Sequence, residues 1–123
     1  MSSPSTRPKL LLVEDDRATY MALKGILTLR GWDVVVATTL AEAQAALEGN
    51  SVLNAAVLDL VLPDGGGETV LRQLRDRSGE IPIAVTTGIA DGERIAALEK
   101  LRPTALLRKP IALADLLRAI TLA

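Results

Sequence analysis

The sequence predicts an α/β fold in which a parallel β-sheet is covered by helices on both faces. Five short apolar runs alternate with five segments of helical periodicity, which is the pattern of repeated strand–helix units with right-handed crossovers. The runs are almost continuously apolar, as expected for parallel strands that are buried on both sides. A chain of 123 residues, 49% of them hydrophobic, is long enough to form one such domain.

The first half of the chain is expected to contribute three strands and two helices. Gly31 is a natural stop for the first helix. Thr39, with Glu42 three residues later, fits a capping box at the start of the second helix. The predicted strands are Lys9–Val13, Asp33–Ala37 and Ala55–Asp59, and the predicted helices are Arg17–Arg30 and Thr39–Gly49.

The second half is expected to contribute two strands and three helices. Pro82 is tolerated at the very start of a strand, Asp91 can cap the helix that follows, and Pro103 breaks that helix. The predicted elements are a helix at Gly67–Arg77 closed by Ser78 and Gly79, a strand from Ile81 that runs into a loop at Gly88, a helix from Asp91 to about Lys100, a strand at Thr104–Arg108, and a last helix with an apolar stripe of Leu113, Leu116, Leu117 and Ile120.

The composition excludes several classes of function. Without histidine or cysteine, the chain lacks the commonest general base, disulfides and thiolate metal sites. A net charge of −1 with interspersed signs predicts no direct contact with nucleic acid and no membrane-binding face. Residues 1–8 are polar, rich in Ser and Pro, and lack the apolar core of a signal peptide, so we expect a disordered tail on a cytoplasmic protein.

Polar side chains follow four of the five predicted strands. Glu14 and Asp15 follow the first strand, Asp59 ends the third, Thr87 lies at the end of the fourth, and Lys109 follows the fifth. Because the carboxyl ends of parallel strands meet at one edge of the sheet, where ligands bind, we expect these groups to form one pocket. Mg²⁺ would relieve the repulsion among the three acids, since hard cations prefer oxygen ligands.

This predicted pocket contains the groups that phosphoryl transfer requires. That reaction depends on positioning and charge neutralisation more than on proton transfer. Carboxylates form aspartyl-phosphate intermediates, and Asp59 ends the strand that a doubly wound sheet makes central. We predict that Asp59 accepts a phosphoryl group and that Lys109 and the Thr87 hydroxyl hold its other oxygens.

Each of these residues also has a simpler structural interpretation when it is considered alone. An acid after a strand often caps a helix, with a gain of about 0.3–1 kcal/mol from the helix dipole, and we assign Asp16 and Asp64 to capping or loop roles. Gly65–Gly67 lacks the Lys-Ser/Thr of a P-loop and predicts a flexible turn. The functional interpretation is favoured because independent signals converge on one edge of the sheet.

Four segments together resemble the receiver domain of two-component response regulators, of which the single-domain chemotaxis receiver is the best known. The resemblance runs from Lys9 to about Leu122, and the four segments are highly specific in this order and at this spacing. They are Leu12–Asp16, Asp59 with Leu62, Pro63 and Gly67, Val85–Gly88, and Leu107–Pro110.

The resemblance implies a flavodoxin-like (βα)5 fold over residues 9–123, a three-layer sandwich with strand order 2-1-3-4-5. It implies that a histidine kinase or histidine phosphotransfer protein donates a phosphoryl group to Asp59. The chain would be a signalling phosphoacceptor, catalysing only its own phosphorylation and slow dephosphorylation. A downstream protein target would recognise the face formed by the fourth helix, fifth strand and fifth helix, and an output domain outside this sequence is the alternative.

The resemblance also implies a set of ligands for Mg²⁺. Asp15 and Asp59 would bind the ion directly, the backbone carbonyl of Val61 would be the third protein ligand, and Glu14 would act mostly through water. Val61 and Ile89 occupy the two positions that tune self-dephosphorylation in this family. Neither side chain can orient an attacking water, so we predict a relatively long-lived phosphoryl group.

The switch positions of the family are matched only in part. Thr87 would be the switch hydroxyl, and Lys109 the motif lysine, joined to Pro110 by a cis peptide bond, which is accessible at low cost only before proline. The family usually has Tyr or Phe three residues before that lysine, and its ring swings inward when the hydroxyl moves. Leu106 stands there in this chain, so we predict that output uses a repositioned loop after Thr87 or a different face.

Two alternatives remain open. The first is a catalytic phosphotransferase or metal-dependent phosphatase on a similar sheet. Haloacid-dehalogenase-like enzymes and topoisomerase-primase-like domains of this kind need an Asp-x-Asp motif, and Val61, which stands where the second acid would be, argues against both. A pseudo-receiver, an interaction module that is not regulated by phosphorylation, is kept open by Leu106. The complete set of acids, hydroxyl and lysine argues against it.

Overall fold

A computed structural model describes residues 7–77, 79–88 and 92–121 of the chain. They form a five-stranded parallel sheet with the strand order β2-β1-β3-β4-β5. The strands are β1 Lys9–Val13, β2 Asp33–Ala37, β3 Ala55–Asp59, β4 Ile83–Thr87 and β5 Ala105–Arg108. The helices are α1 Arg17–Leu29, α2 Leu40–Gly49, α3 Gly67–Arg77, α4 Gly92–Glu99 and α5 Leu113–Ile120.

Two hydrophobic cores lie on opposite faces of the sheet. Alternate strand residues such as Leu11 and Leu58 pack with α2, α3 and α4 on one face, and their neighbours Leu12 and Val57 pack with α1 and α5 on the other. Every residue of β3 is buried, which explains why its sequence is continuously apolar up to Asp59. The predicted α/β fold with the order 2-1-3-4-5 is therefore confirmed.

Several element boundaries differ slightly from those predicted. The fourth strand begins at Ile83 rather than Ile81, and α1 and α4 each end one residue early, at Leu29 and Glu99. The Asp91 cap, the Ser78 stop, Ile89 and most of the predicted N-terminal tail lie outside the described residues. None of the helices in the described ranges is long and apolar enough to cross a membrane.

The start of α2 is capped by groups from two segments. The Thr39 hydroxyl accepts a hydrogen bond from the Glu42 amide at 3.0 Å, as a capping box requires. The Glu42 carboxylate, however, accepts from the Thr38 amide at 2.6 Å instead of the Thr39 amide, so the predicted box is wrong in that half. The Asp64 carboxylate also accepts from the amides of Leu40 and Ala41, at 2.7 and 3.0 Å.

The glycine-rich segment after β3 is more ordered than the predicted turn. Val61–Leu62 and Gly65–Gly66 pair as a short antiparallel hairpin, which leads directly into α3. A Cβ atom on Gly67 would lie 2.3 Å from the Asp59 carbonyl oxygen, so only glycine fits at this position. The segment thus packs tightly against the end of β3.

Candidate functional site

The register of the sheet brings the predicted site residues to one edge. Asp59 pairs with Thr86 across β3 and β4, and Thr87 pairs with Arg108 across β4 and β5. Beyond the strand ends, the Glu14 amide donates to Ala37 at 3.0 Å and the Lys109 amide donates to Thr87 at 2.8 Å. Glu14 and Lys109 are therefore held in place by continuations of the sheet's own hydrogen bonding.

Asp59 is a buried carboxylate with both oxygens engaged. Asp59 is only 3% exposed to solvent, although it lies at the carboxyl edge of the sheet. Oδ2 lies 2.9 Å from Lys109 Nζ, and Oδ1 accepts a hydrogen bond from the Val61 amide at 3.0 Å. These two contacts fix the orientation of the carboxylate, and the ammonium compensates its charge.

The ammonium of Lys109 that binds Asp59 also binds Glu14. Lys109 Nζ lies 3.0 Å from Glu14 Oε1, and Glu14 Oε2 accepts from the Asp16 amide at 3.1 Å. Burial raises the pKa of Glu14 and the nearby Asp59 adds to this, although the Asp16 amide and Lys109 oppose it. Burial alone would lower the pKa of Lys109, but its contacts with Asp59 and Glu14 outweigh that effect and raise it.

Three acids lie close enough to share one cation. Oxygens of Glu14, Asp15 and Asp59 all lie within 4.8 Å of one another, and Asp15 is exposed to solvent whereas the other two are buried. The donors are carboxylate oxygens, which suit a hard divalent ion such as Mg²⁺. Burial is the main cause of the raised pKa of Glu14, and the neighbouring Asp59 carboxylate adds to it. The residues present therefore fit the predicted Mg²⁺ ion.

The neighbouring threonines have different surroundings, although both are buried. The Thr86 hydroxyl lies 3.5 Å from the Leu58 carbonyl oxygen, within the sheet. Thr87 is the last residue of β4 and lies one strand away from Asp59. Lys109 follows β5, and its peptide bond to Pro110 is cis.

Leu106 and Val61, two positions at which the chain departs from the family pattern, differ in how far they are exposed. Leu106 is partly buried and packs against the core on the face that carries α2, α3 and α4. Val61 is 41% exposed, next to the Asp59 carboxylate that its amide binds. Sequence patterns alone do not predict a further contact near Asp59, in which Arg94 of α4 donates to the Leu60 carbonyl.

Comparison with known proteins shows which family the chain is similar to. The family described as "Response regulator receiver domain" matches residues 10–121. The photosynthetic apparatus regulatory protein RegA of Rhodobacter capsulatus is 35% identical over 111 residues, which cover 90% of this chain and 60% of RegA. The response regulator MprA of Mycobacterium sp. (strain KMS) is 36% identical over 110 residues, 89% of this chain and 47% of MprA.

The fold is similar to that of solved receiver structures. The non-phosphorylated HemR receiver domain of Leptospira biflexa superimposes with a TM-score of 0.83 at 30% identity, covering 95% of this chain and 97% of that one. The chain spans about half to three fifths of the length of the curated relatives named above. From its sequence match, its sheet topology and its cluster of acids, the chain belongs to the response regulator receiver domain family.

Proposed function

We propose that Asp59 accepts a phosphoryl group from a histidine kinase or a histidine phosphotransfer protein. The observation that carries this proposal is the contact of 2.9 Å between the buried Asp59 carboxylate and Lys109 Nζ, at the sheet edge where two further acids lie. A carboxylate that is oriented and charge-compensated in this way is suited to nucleophilic attack.

The transfer exchanges one bond to phosphorus for another. An Asp59 oxygen forms the new P–O bond as the P–N bond to the donor histidine breaks, and the electron pair of that bond stays on the imidazole nitrogen, which then takes a proton. Lys109 and the Thr87 hydroxyl hold the equatorial oxygens of the phosphoryl group, on which charge is spread in the transition state. No general base is needed, because the nucleophile is a carboxylate.

Glu14, Asp15, Asp59 and the backbone carbonyl of Val61 would hold Mg²⁺. The bound ion supplies charge neutralisation for the phosphoryl oxygens. Asp15, the exposed acid, is accessible from solvent, and Glu14 would act mostly through water. The chain then works as a signalling phosphoacceptor in the cytoplasm, and a protein partner or output domain recognises its phosphorylated form.

The alternative proposal, an interaction module without phosphorylation, is the weaker one. Such a module would have no need to bury Glu14 and Asp59 at the edge of the sheet and to join them through Lys109. Leu106 removes the usual aromatic switch but leaves these groups in place.

The decisive experiment is intact-protein mass spectrometry after incubation with acetyl phosphate and Mg²⁺. We expect one phosphoryl adduct on the wild type, none on Asp59→Asn, and none when the metal is chelated before the donor is added. An adduct of equal yield on Asp59→Asn would place the reaction on another residue. No wild-type adduct with either acetyl phosphate or phosphoramidate would contradict the proposal and favour the interaction module.

A further inference from the structure

Arg94 of α4 binds Glu68 and the Leu60 carbonyl, which flank the hairpin after β3. Its Nε lies 2.6 Å from Glu68 Oε2 and its Nη2 lies 2.9 Å from Glu68 Oε1, which is a bidentate ion pair with the first turn of α3. The same Nη2 donates to the Leu60 carbonyl at 2.7 Å. Leu60 directly follows Asp59, so this contact joins α4 to the backbone beside the phosphoacceptor.

The local sequence leaves space for this contact. A Cβ on Gly66 would lie 2.1 Å from Glu68 Oε1 and 2.8 Å from Arg94 Nη2, so a side chain at this position would displace the ion pair. The Leu60 carbonyl also accepts from the Gly67 amide at 3.1 Å. Leu60 is itself fixed to β4, because its amide donates to Thr86 at 2.9 Å.

The surroundings make the ion pair stronger than a fully exposed one. The side chains of Arg94 and Glu68 are 30% and 27% exposed, and the hydrogen bonds from Arg94 lower the pKa of Glu68. Planar, paired hydrogen bonds fix the geometry of both side chains as well as their charge.

We propose that Arg94 is a positioning residue that couples α4 to the backbone beside Asp59, so that a change at the phosphoacceptor reaches α4 through the Leu60 carbonyl. The signalling part of this inference rests on the proposed function. Leu106 has no aromatic ring with which to link the site to the α4–β5 surface, and the Arg94 contact provides a different physical connection. Energetic coupling between two sites requires such a structural element whose state both sites influence.

The first test needs no phosphoryl group. Amide hydrogen exchange is measured on the wild type, on Arg94→Met, and on Gly66→Ala, which displaces the ion pair without changing any charge. We expect exchange to speed up at the Gly67 amide and in α4 together, by roughly tenfold, because local opening is easier without the contact. Arg118→Met is the matched control, since it removes the exposed Arg118–Asp115 ion pair of α5 and should leave both regions unchanged.

The second test measures whether phosphorylation of Asp59 changes the hydrogen exchange of α4 through the Arg94 contact. After incubation with acetyl phosphate and Mg²⁺, the wild type should show a change of exchange in α4, and Arg94→Met should carry the phosphoryl adduct but lose most of that change. An equal α4 response in the variant would overturn the proposal, as would a Gly67 amide that is unaffected by Arg94→Met in the first test. If the wild type takes no adduct, the proposed function fails, and the first test still decides whether Arg94 couples the two segments.

Discussion

Lys109 binds Asp59 through a contact of 2.9 Å between Nζ and Oδ2, and the same ammonium lies 3.0 Å from Glu14. One cation therefore compensates two buried carboxylates. Because a phosphoryl group arriving on Asp59 brings further negative charge, this ammonium is expected to matter more in the transition state than in the resting protein.

Lys109→Met should slow phosphorylation strongly without unfolding the chain. The variant loses the donor that stabilises the transferring group, and the loss of one such donor typically costs about a hundredfold in rate. The measurement is the rate of adduct formation from phosphoramidate, followed by intact mass. Lys100→Met, which changes an exposed lysine outside the site, is the control, and equal rates for the two variants would refute the role of Lys109.

The phosphoryl group is expected to persist on the wild type, because the Val61 side chain cannot orient a water molecule. Val61 is exposed beside Asp59, so a polar replacement there would lie at the entrance to the site. Val61→Asn should therefore shorten the lifetime of the adduct severalfold while keeping the backbone carbonyl. Loss of the adduct is followed by mass after the donor is removed, and Val52→Asn, at another exposed valine, tests for a general effect of polarity.

Glu68 should stabilise the folded chain at neutral pH and lose this contribution in acid. Its pKa is lowered in the folded chain from an ordinary value of 4.5, chiefly by the hydrogen bonds from Arg94. Glu68 therefore binds a proton more readily in the unfolded chain than in the folded one. Its contribution to the free energy of unfolding is present above pH 4.5 and is lost as the pH falls through the folded pKa. Glu68→Gln should lower the unfolding free energy at neutral pH by up to about 1 kcal/mol, and by less in acid.

Urea unfolding between about pH 6 and pH 3 tests the Glu68 prediction, with the two chains compared at each pH. The Glu68→Gln variant will keep part of the acid sensitivity, because the pKa values of Asp16, Glu42 and Asp64, which both chains contain, are also lowered by hydrogen bonds. A constant difference between the wild type and Glu68→Gln across this range would contradict the assignment.

Two glycine substitutions should have opposite effects on stability. In Gly67→Ala the new Cβ meets the backbone of Asp59, which cannot move as a flexible side chain can, and we expect a loss of about 1–3 kcal/mol. In Gly25→Ala the new Cβ, inside α1, has nothing within 4 Å, and we expect a gain of about 0.5–1 kcal/mol. Denaturant unfolding measures both, and a stabilised Gly67→Ala would show that the segment relaxes freely.

Much of the fold follows from local sequence patterns. The bounds of β3 and α3 were predicted as observed, because β3 is a continuous apolar run that ends at an acid and α3 has a helical apolar period that begins after a glycine-rich turn. The gathering of Asp59, Thr87 and Lys109 at one edge follows from a general property of parallel sheets and needs no knowledge of side-chain positions. The roles assigned to these residues remain predictions.

The features that were missed leave no clear signal in the local sequence pattern. The hairpin at Val61–Leu62 and Gly65–Gly66 has one strand made only of glycine, which carries no strand signal. The Glu42 carboxylate turned to the Thr38 amide, one residue away from the expected partner. Arg94 and Leu60 lie 34 residues apart, and nothing in the periodicity of α4 indicates that they meet.

The absence of a side chain at Gly66 has a consequence for how the sequences of this family evolve. Arg94, Glu68 and Gly66 occupy one small space, so a substitution at one of them constrains which residues the other two positions accept. Lineages that gain a side chain at position 66 should be released from selection to keep the arginine and the glutamate. The three positions should therefore change together across the family, and the sequences of related receivers would reveal which of them carry the same contact.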